Sequence, residues 1–270
     1  MKDYFGTPVD LRGKKLFLFD MDGTIYKDDQ LFDGAPELFA HIRGSGGEFV
    51  FITNNSSKSV QDYVEKVTRL GIAADASNFY TSSQAAAQFL TQNYAGAKIY
   101  CLGTKAFVAE LRGAGIHVTE DVGRDIDAVL VGFDTELTSD KLRKTCEVLS
   151  GDVAYFATNP DLCCPVEFGF IPDCGSICAM LKNCTGKEPV YFGKPSPKMA
   201  EMAMERFHMR KEQTVVVGDR LYTDIATGLN AGVDAVCVLT GEAAPEDIRT
   251  GAIKPTWTFP SVKELFWAIQ

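Results

Sequence analysis

No apolar stretch in the 270-residue chain approaches the roughly 20 residues a helix needs to cross a bilayer. The stretch Met1 to Arg12 mixes charge, proline and glycine, with nothing like the apolar core of a signal peptide, so a cytoplasmic location is expected. Positive charge is in deficit, with 27 Lys and Arg against 36 Asp and Glu and a net charge of −9. That balance argues against nucleic acid or an anionic membrane surface as a partner. An acidic chain still binds phosphate where a metal cation or local donors reverse the field. There is no low-complexity linker, no fixed-period repeat and no G-x-x-x-x-G-K-[ST], which removes a P-loop. Histidine is scarce: His41, His117 and His208 are scattered without ligand spacing and read as structural or surface residues.

The 46% hydrophobic and 23% charged fractions are those of an ordinary globular protein, one large domain or two smaller ones. Eight cysteines in so long a chain without a secretion signal read as reduced thiols, because disulfide frameworks belong to small secreted domains. Apolar runs alternate with helical patterns almost throughout. Strands are expected at 15–20, 48–53, 98–102, 128–131, 153–156, 190–192, 214–217 and 235–238. Helices are expected at 36–44, 60–70, 104–112, 140–149, 176–183, 197–207 and 223–231. Near-continuous apolar strands with intervening helices are what a parallel sheet covered on both faces requires, so the class is α/β.

Polar, chemistry-bearing strand ends cluster in Asp20 to Asn55 and again in Lys194 to Asp224. The middle of the chain forms its own strand-helix series without such motifs. A domain inserted between two halves of a core accounts for this, with a core of 1–81 and 187–270 and an insert of 82–186.

Asp20-Met21-Asp22-Gly23-Thr24 directly follows the first apolar strand, where open parallel sheets place their ligand sites. Two carboxylates two residues apart repel each other, and a metal or a proton relieves that. A carboxylate can also attack phosphorus and form an acyl phosphate. Alone, Asp22-Gly23 is also an ordinary turn signal. Three more strand ends argue otherwise. Thr53-Asn54-Asn55-Ser56 offers short donors for phosphate oxygens, Gly193-Lys194-Pro195 a compact cation, and Gly218-Asp219 with Asp224 carboxylates suited to Mg²⁺.

This ordered set resembles the haloacid dehalogenase-like hydrolase superfamily of aspartate-nucleophile phosphatases. It is most similar to the subfamily IIA branch of NagD-like and 4-nitrophenylphosphatase-like enzymes. Supporting segments are Val131-Gly132-Phe133-Asp134, Ala157-Thr158-Asn159-Pro160-Asp161, Gly193-Lys194-Pro195-Ser196-Pro197 and Thr223-Asp224-Ile225. The resemblance implies a Rossmann-like parallel-sheet core with an inserted α/β cap of the C2 type, and a Mg²⁺-dependent phosphomonoesterase acting through an aspartyl-phosphate. It implies Asp20 as nucleophile and Asp22 as the acid that protonates the leaving group and then activates water. The metal would be held by Asp20, the Asp22 main-chain carbonyl and Asp219, with Asp224 orienting a metal-bound water. Thr53, Asn54, Asn55 and Lys194 would hold the phosphate.

Cys163 and Cys164 fall in the expected loop 161–173, with Glu167, where the resembled family's cap presents residues to the substrate; Cys164 is assigned to substrate binding. Cys101, Cys146, Cys178 and Cys237 read as core residues. The resemblance further implies a small phosphorylated substrate, with nucleotide monophosphates, phosphoglycolate, glycerol phosphate, sugar phosphates and pyridoxal phosphate all open, and pairing of two copies through their caps. Three alternatives stand beside this reading: a phosphotransferase or mutase with the same intermediate, a non-catalytic phosphometabolite-binding protein, and a thiol or zinc module in the cap.

Overall fold

The computed structural model describes residues 1–55, 60–166 and 168–270, with the side chain of Pro165 left out. Ser56 and Glu167 lie outside the described residues. Contacts divide the chain into two compact units. The first holds Met1–Thr53, Val60–Tyr80 and Lys194–Gln270; the second holds Thr81–Gly193 together with Asn54 and Asn55.

In chain order the elements begin with β1 (Leu16–Phe19), β2 (Tyr26–Lys27), β3 (Gln30–Leu31), α1 (Ala35–Gly44), β4 (Glu48–Thr53), α2 (Val60–Arg69) and β5 (Phe79–Thr81). They continue through α3 (Ser82–Asn93), β6 (Lys98–Leu102), α4 (Lys105–Gly113), β7 (His117–Thr119), β8 (Ala128–Val131), α5 (Ser139–Leu149) and β9 (Ala154–Ala157). Next come β10 (Cys163–Val166), β11 (Gly169–Pro172), α6 (Cys174–Thr185), β12 (Val190–Tyr191), α7 (Lys198–Phe207) and β13 (Thr214–Gly218). The last are a π turn (Leu221–Ile225), α8 (Ala226–Ala231), β14 (Asp234–Val238), α9 (Pro245–Thr250), β15 (Trp257–Phe259) and α10 (Val262–Ile269).

The first unit is built on a sheet of order β15-β14-β13-β1-β4-β5. β1 pairs in parallel with β13 and with β4, and β13–β14 and β14–β15 are parallel too. All four residues of β1 are buried, as a central strand covered on both faces demands. Phe39 of α1 closes one face, with its ring 5.0 Å from Phe19 and 5.3 Å from Phe51, both edge-on. Truncating such a buried ring to alanine costs about 3–5 kcal/mol.

The second unit has its own parallel sheet, β12-β9-β8-β6-β7. Val129, Val131, Leu149, Ile177 and Leu181 are among its core residues. α3 opens this unit on a capping box: Gln84 N donates to Thr81 Oγ1 (3.1 Å) and Thr81 N to Gln84 Oε1 (3.0 Å), satisfying two otherwise orphaned donors.

The α/β class and the parallel sheets expected from sequence are present, with several local differences. The expected loop 161–173 contains the antiparallel hairpin β10–β11. The expected helix 223–231 is two pieces, the π turn followed by α8. The strand expected at 153–156 lies one residue later. α3, α9, α10 and the short strands β2, β3, β5, β7 and β15 come in addition to the expected elements. Cys101, Cys178 and Cys237 are buried, whereas Cys146 is only half-buried; no disulfide joins any of the eight cysteines, all of them among the described residues. No described helix is long and apolar enough to cross a membrane.

Candidate active site

β1 lies where the strand order reverses. The chain leaves it towards β4 and β5 on one side and later returns to build β13, β14 and β15 on the other. Such a switch point leaves a crevice beyond the carboxyl ends of the strands, open to a ligand. The ladder runs to the last residue before the crevice, where Asp20 N donates to Val217 O at 2.8 Å. Asp20 after β1 and Asp219 after β13 are thereby set side by side.

One oxygen each of Asp20, Asp219 and Asp224 lies within 4.8 Å of the other two. Among the described residues this is the single group of three or more His, Cys, Asp or Glu side chains so placed, and no cysteine belongs to it. Lys194 counters the charge. Its ammonium donates to Asp20 Oδ1 (2.5 Å) and to Asp224 Oδ1 (2.7 Å), with its side chain 5% exposed. Burial pushes the Asp20 carboxyl up to about 8, despite the pull of Lys194 and with a further push from Asp224 and Asp219. Asp219 is raised as well, by burial first and the charge of Asp224 next. Burial alone would lower Lys194, but the charges of Asp20 and Asp224 outweigh it and hold the ammonium above its ordinary value.

The Asp219 carboxylate is fixed from two sides, by the end of the first acidic motif and by a loop outside the motifs singled out in the sequence. Thr24 Oγ1 donates to its Oδ1 (3.2 Å) and Glu242 N to its Oδ2 (2.8 Å). Gly23 and Gly241 flank it so closely that a Cβ on either would overlap the carboxylate; Gly23 also has φ +83°, a conformation open to glycine at no steric cost. Thr240 Oγ1 donates to Gly23 O (2.6 Å) and joins the two loops. The sequence signal for Thr240, Gly241 and Glu242 is the carboxyl end of β14. That strand adjoins β13, so the loop beyond it borders the same crevice.

Asp224 occupies the π turn. Its Oδ2 accepts the Arg220 N–H (3.1 Å) while Oδ1 accepts Lys194. Thr53 ends β4, one strand over from Asp20. Asp22 lies in the turn after β1, where its exposed carboxylate accepts the Tyr26 hydroxyl at 3.4 Å. The structure thus brings Asp20, Lys194, Asp219 and Asp224 together, with Asp22 in the adjoining turn. Asn54, Asn55 and Cys164 belong to the second unit. There Asn54 Nδ2 donates to Asp161 (3.0 Å), and Asn54 O accepts Asn159 Nδ2 (2.7 Å) and Ser82 Oγ (2.8 Å). Cys164 is half-buried and packs on that unit's core, while its neighbour Cys163 is exposed.

The carboxylate set offers hard oxygen donors and more negative charge than one lysine balances, which fits a divalent cation such as Mg²⁺. It also places a candidate nucleophile beside a fixed cation.

The model of the haloacid dehalogenase-like hydrolase family matches residues 17–117, and that of the HAD-hydrolase-like family matches 191–265. The chain is 36% identical over 251 residues to the ribonucleotide monophosphatase NagD of Escherichia coli, covering 93% of this chain and 98% of that one. It is 32% identical over 260 residues to an acid sugar phosphatase of Staphylococcus saprophyticus, covering 96% and 100%. The solved 4-nitrophenylphosphatase of Thermotoga maritima superposes with a TM-score of 0.90 at 38% identity, covering 96% of this chain and 99% of that one. With the carboxylates and Lys194 at their strand ends and similarity along almost its whole length, the chain belongs to the haloacid dehalogenase-like hydrolase family, in its branch of NagD-like and 4-nitrophenylphosphatase-like proteins.

Proposed function

We propose that this phosphatase is a Mg²⁺-dependent phosphomonoesterase that hydrolyses a small phosphorylated metabolite through an aspartyl-phosphate on Asp20. The grouping of Asp20, Asp219 and Asp224 around Lys194 carries this reading. Asp20, Asp219 and the main-chain carbonyl of Asp22 would hold Mg²⁺, with Asp224 close enough to orient a bound water. Bound there, the cation supplies positive charge to the phosphate oxygens and relieves the repulsion among the carboxylates.

The chain's own groups do the rest. Asp20 attacks phosphorus in line. Asp22 gives a proton to the departing oxygen, then takes one from the water that cleaves the acyl phosphate, a role switch typical of acid-base catalysis. Lys194 and Thr53 hold phosphate oxygens, assisted by Asn54 and Asn55, so that most of the rate comes from positioning and electrostatic stabilisation. These contacts touch only what every phosphomonoester shares. Choice among substrates then belongs to the second unit, which we assign as the cap; its hairpin β10–β11, bearing Cys163 and Cys164, is the segment assigned to meet the leaving group. Pairing of two copies through that unit and a cytoplasmic location, in keeping with eight unbridged thiols, complete the proposal.

The test is a phosphate-release screen over a panel of metabolites, with Mg²⁺ and with chelator, on the parent protein and on Asp20→Asn. Release of free phosphate that needs the metal and disappears in Asp20→Asn is expected. Undiminished turnover in chelator or in Asp20→Asn would sink the reading, and transfer to a second substrate without free phosphate would replace it with a phosphotransferase.

A further inference from the structure

The proposed acid, Asp22, is mostly exposed: its side chain keeps 69% of its accessible surface. A carboxylate so open explores several rotamers unless something holds it, and an acid acts only when aimed at the departing oxygen. Among the described residues, two groups meet it, one at each oxygen. The Tyr26 hydroxyl donates to Oδ2 at 3.4 Å, and the Lys66 ammonium lies 4.0 Å from Oδ1.

Both groups are themselves fixed. Tyr26 is wholly buried and anchored by backbone bonds, with Gly23 N donating to Tyr26 O at 2.8 Å and β2 pairing it with Leu31. Lys66 lies on α2 between Tyr63 and Val67, the two buried residues of that helix, and its side chain is 21% exposed. Its ammonium stands 3.8 Å from the centroid of the Tyr26 ring. A cation over a tyrosine face is held by the ring's quadrupole. Lys66 has therefore already lost the side-chain freedom that makes most exposed ion pairs worth little.

We infer that Lys66, seated on the Tyr26 ring, is a positioning residue that holds the Asp22 carboxylate in register for proton delivery. The inference rests on the reading of Asp22 as the leaving-group acid. Lys66 touches neither phosphorus nor metal in this role. Its effect passes through Asp22 and scales with how much the leaving group needs a proton. An alkoxide needs one badly; 4-nitrophenolate departs without help.

The experiment compares kcat/KM, which reports phosphoryl transfer to Asp20, for glycerol 2-phosphate and 4-nitrophenyl phosphate with Mg²⁺ present. Lys66→Met keeps the apolar stem and deletes the charge. It should lose about tenfold on the alkyl phosphate and less than about twofold on the activated aryl ester, a fraction of the 10²–10⁴ that a general acid supplies. Lys66→Arg should recover most of the loss. Tyr26→Phe keeps the ring and removes the hydroxyl; it should show a smaller loss of the same selectivity, and it serves if Lys66→Met fails to fold. Equal losses on both substrates, or no recovery with arginine, would overturn the inference. Asp22→Asn is run in parallel. If Asp22→Asn does not discriminate between the substrates, the acid role of Asp22 fails; if it does and Lys66→Met does not, the role of Lys66 alone fails.

Discussion

The ammonium of Lys194 lies 2.5 Å from Oδ1 of Asp20, and the same nitrogen bonds Asp224 at 2.7 Å. One buried cation thus faces a cluster of three carboxylates, with Asp219 the third. Lys194→Met removes it without opening a large void. Breaking a buried ion pair by deleting one partner typically costs about 3–5 kcal/mol, and the metal-free variant should melt correspondingly lower. Mg²⁺ should restore part of the stability but not the turnover. Thermal melts with metal and with chelator, read beside phosphate release, check both halves.

Asp20 gives the metal-free protein a pH dependence of definite sign. Its carboxyl titrates near 3.8 when unfolded and about 8 when folded. Between those values the folded state keeps a proton the unfolded state has lost, so stability falls as pH rises through that window. Asp20→Asn has no such proton and should show a flatter profile, overtaking the parent protein as pH approaches 8. Melts in chelator at pH 5, 6.5 and 8 measure the slope. A parent slope no steeper than that of the variant would contradict the assignment. Because Mg²⁺ favours the ionised carboxylate, its affinity should rise over the same interval, with proton release visible in calorimetry.

Gly241→Ala is the most selective probe of the metal site. The new methyl would overlap the Asp219 carboxylate and displace it, while the core strands stay untouched. The apparent Mg²⁺ affinity should weaken by about tenfold or more, the loss usual when the groups orienting a ligand are disturbed. The melting temperature in chelator should move little. A Mg²⁺ titration of 4-nitrophenyl phosphate hydrolysis gives the answer.

The two hairpin cysteines should separate. Cys163 is exposed and Cys164 packs inward. Cys163→Ala should redistribute kcat/KM among substrates by a few-fold, the scale of one pocket contact. Cys164→His forces a larger, polar ring against the core and should first lower stability, by about 1–3 kcal/mol. A substrate panel and a melt on each variant distinguish specificity from packing.

The long apolar strands and the acidic strand ends are legible in the sequence because they obey local rules. Four buried residues followed by Asp20 can be read off the chain without knowing any neighbour. The features that escape such a reading depend on neighbours. α3 reads SSQAAAQFLTQN, too small and even in side chain to show a strong face; its capping box fixes its start only once Thr81 and Gln84 are seen to reciprocate. The hairpin β10–β11 contains two prolines and exposed phenylalanines, a composition that reads as loop. The Thr24 and Glu242 contacts to Asp219 come from segments 195 and 23 residues away. No periodicity reports such pairings. Cys164 shows the same limit on one strand, because alternation tells that Cys163 and Cys164 face opposite ways but not which of them faces inward.

The π turn at Leu221–Ile225 makes the spacing between Asp219 and Asp224 a matter of residue count rather than residue type. In it Ile225 N reaches back five residues to Arg220 O at 3.2 Å, one more than an α-helix allows. Each residue of a regular helix turns the chain by about 100°. A one-residue deletion there would let the turn relax to α-helical pitch, and would swing Asp224 off Lys194 while leaving α8 and the sheet beneath it intact. A substitution at the exposed Tyr222 is therefore a gentler change to this chain than a single-codon loss: the former alters a surface, the latter disconnects one wall of the site from the other.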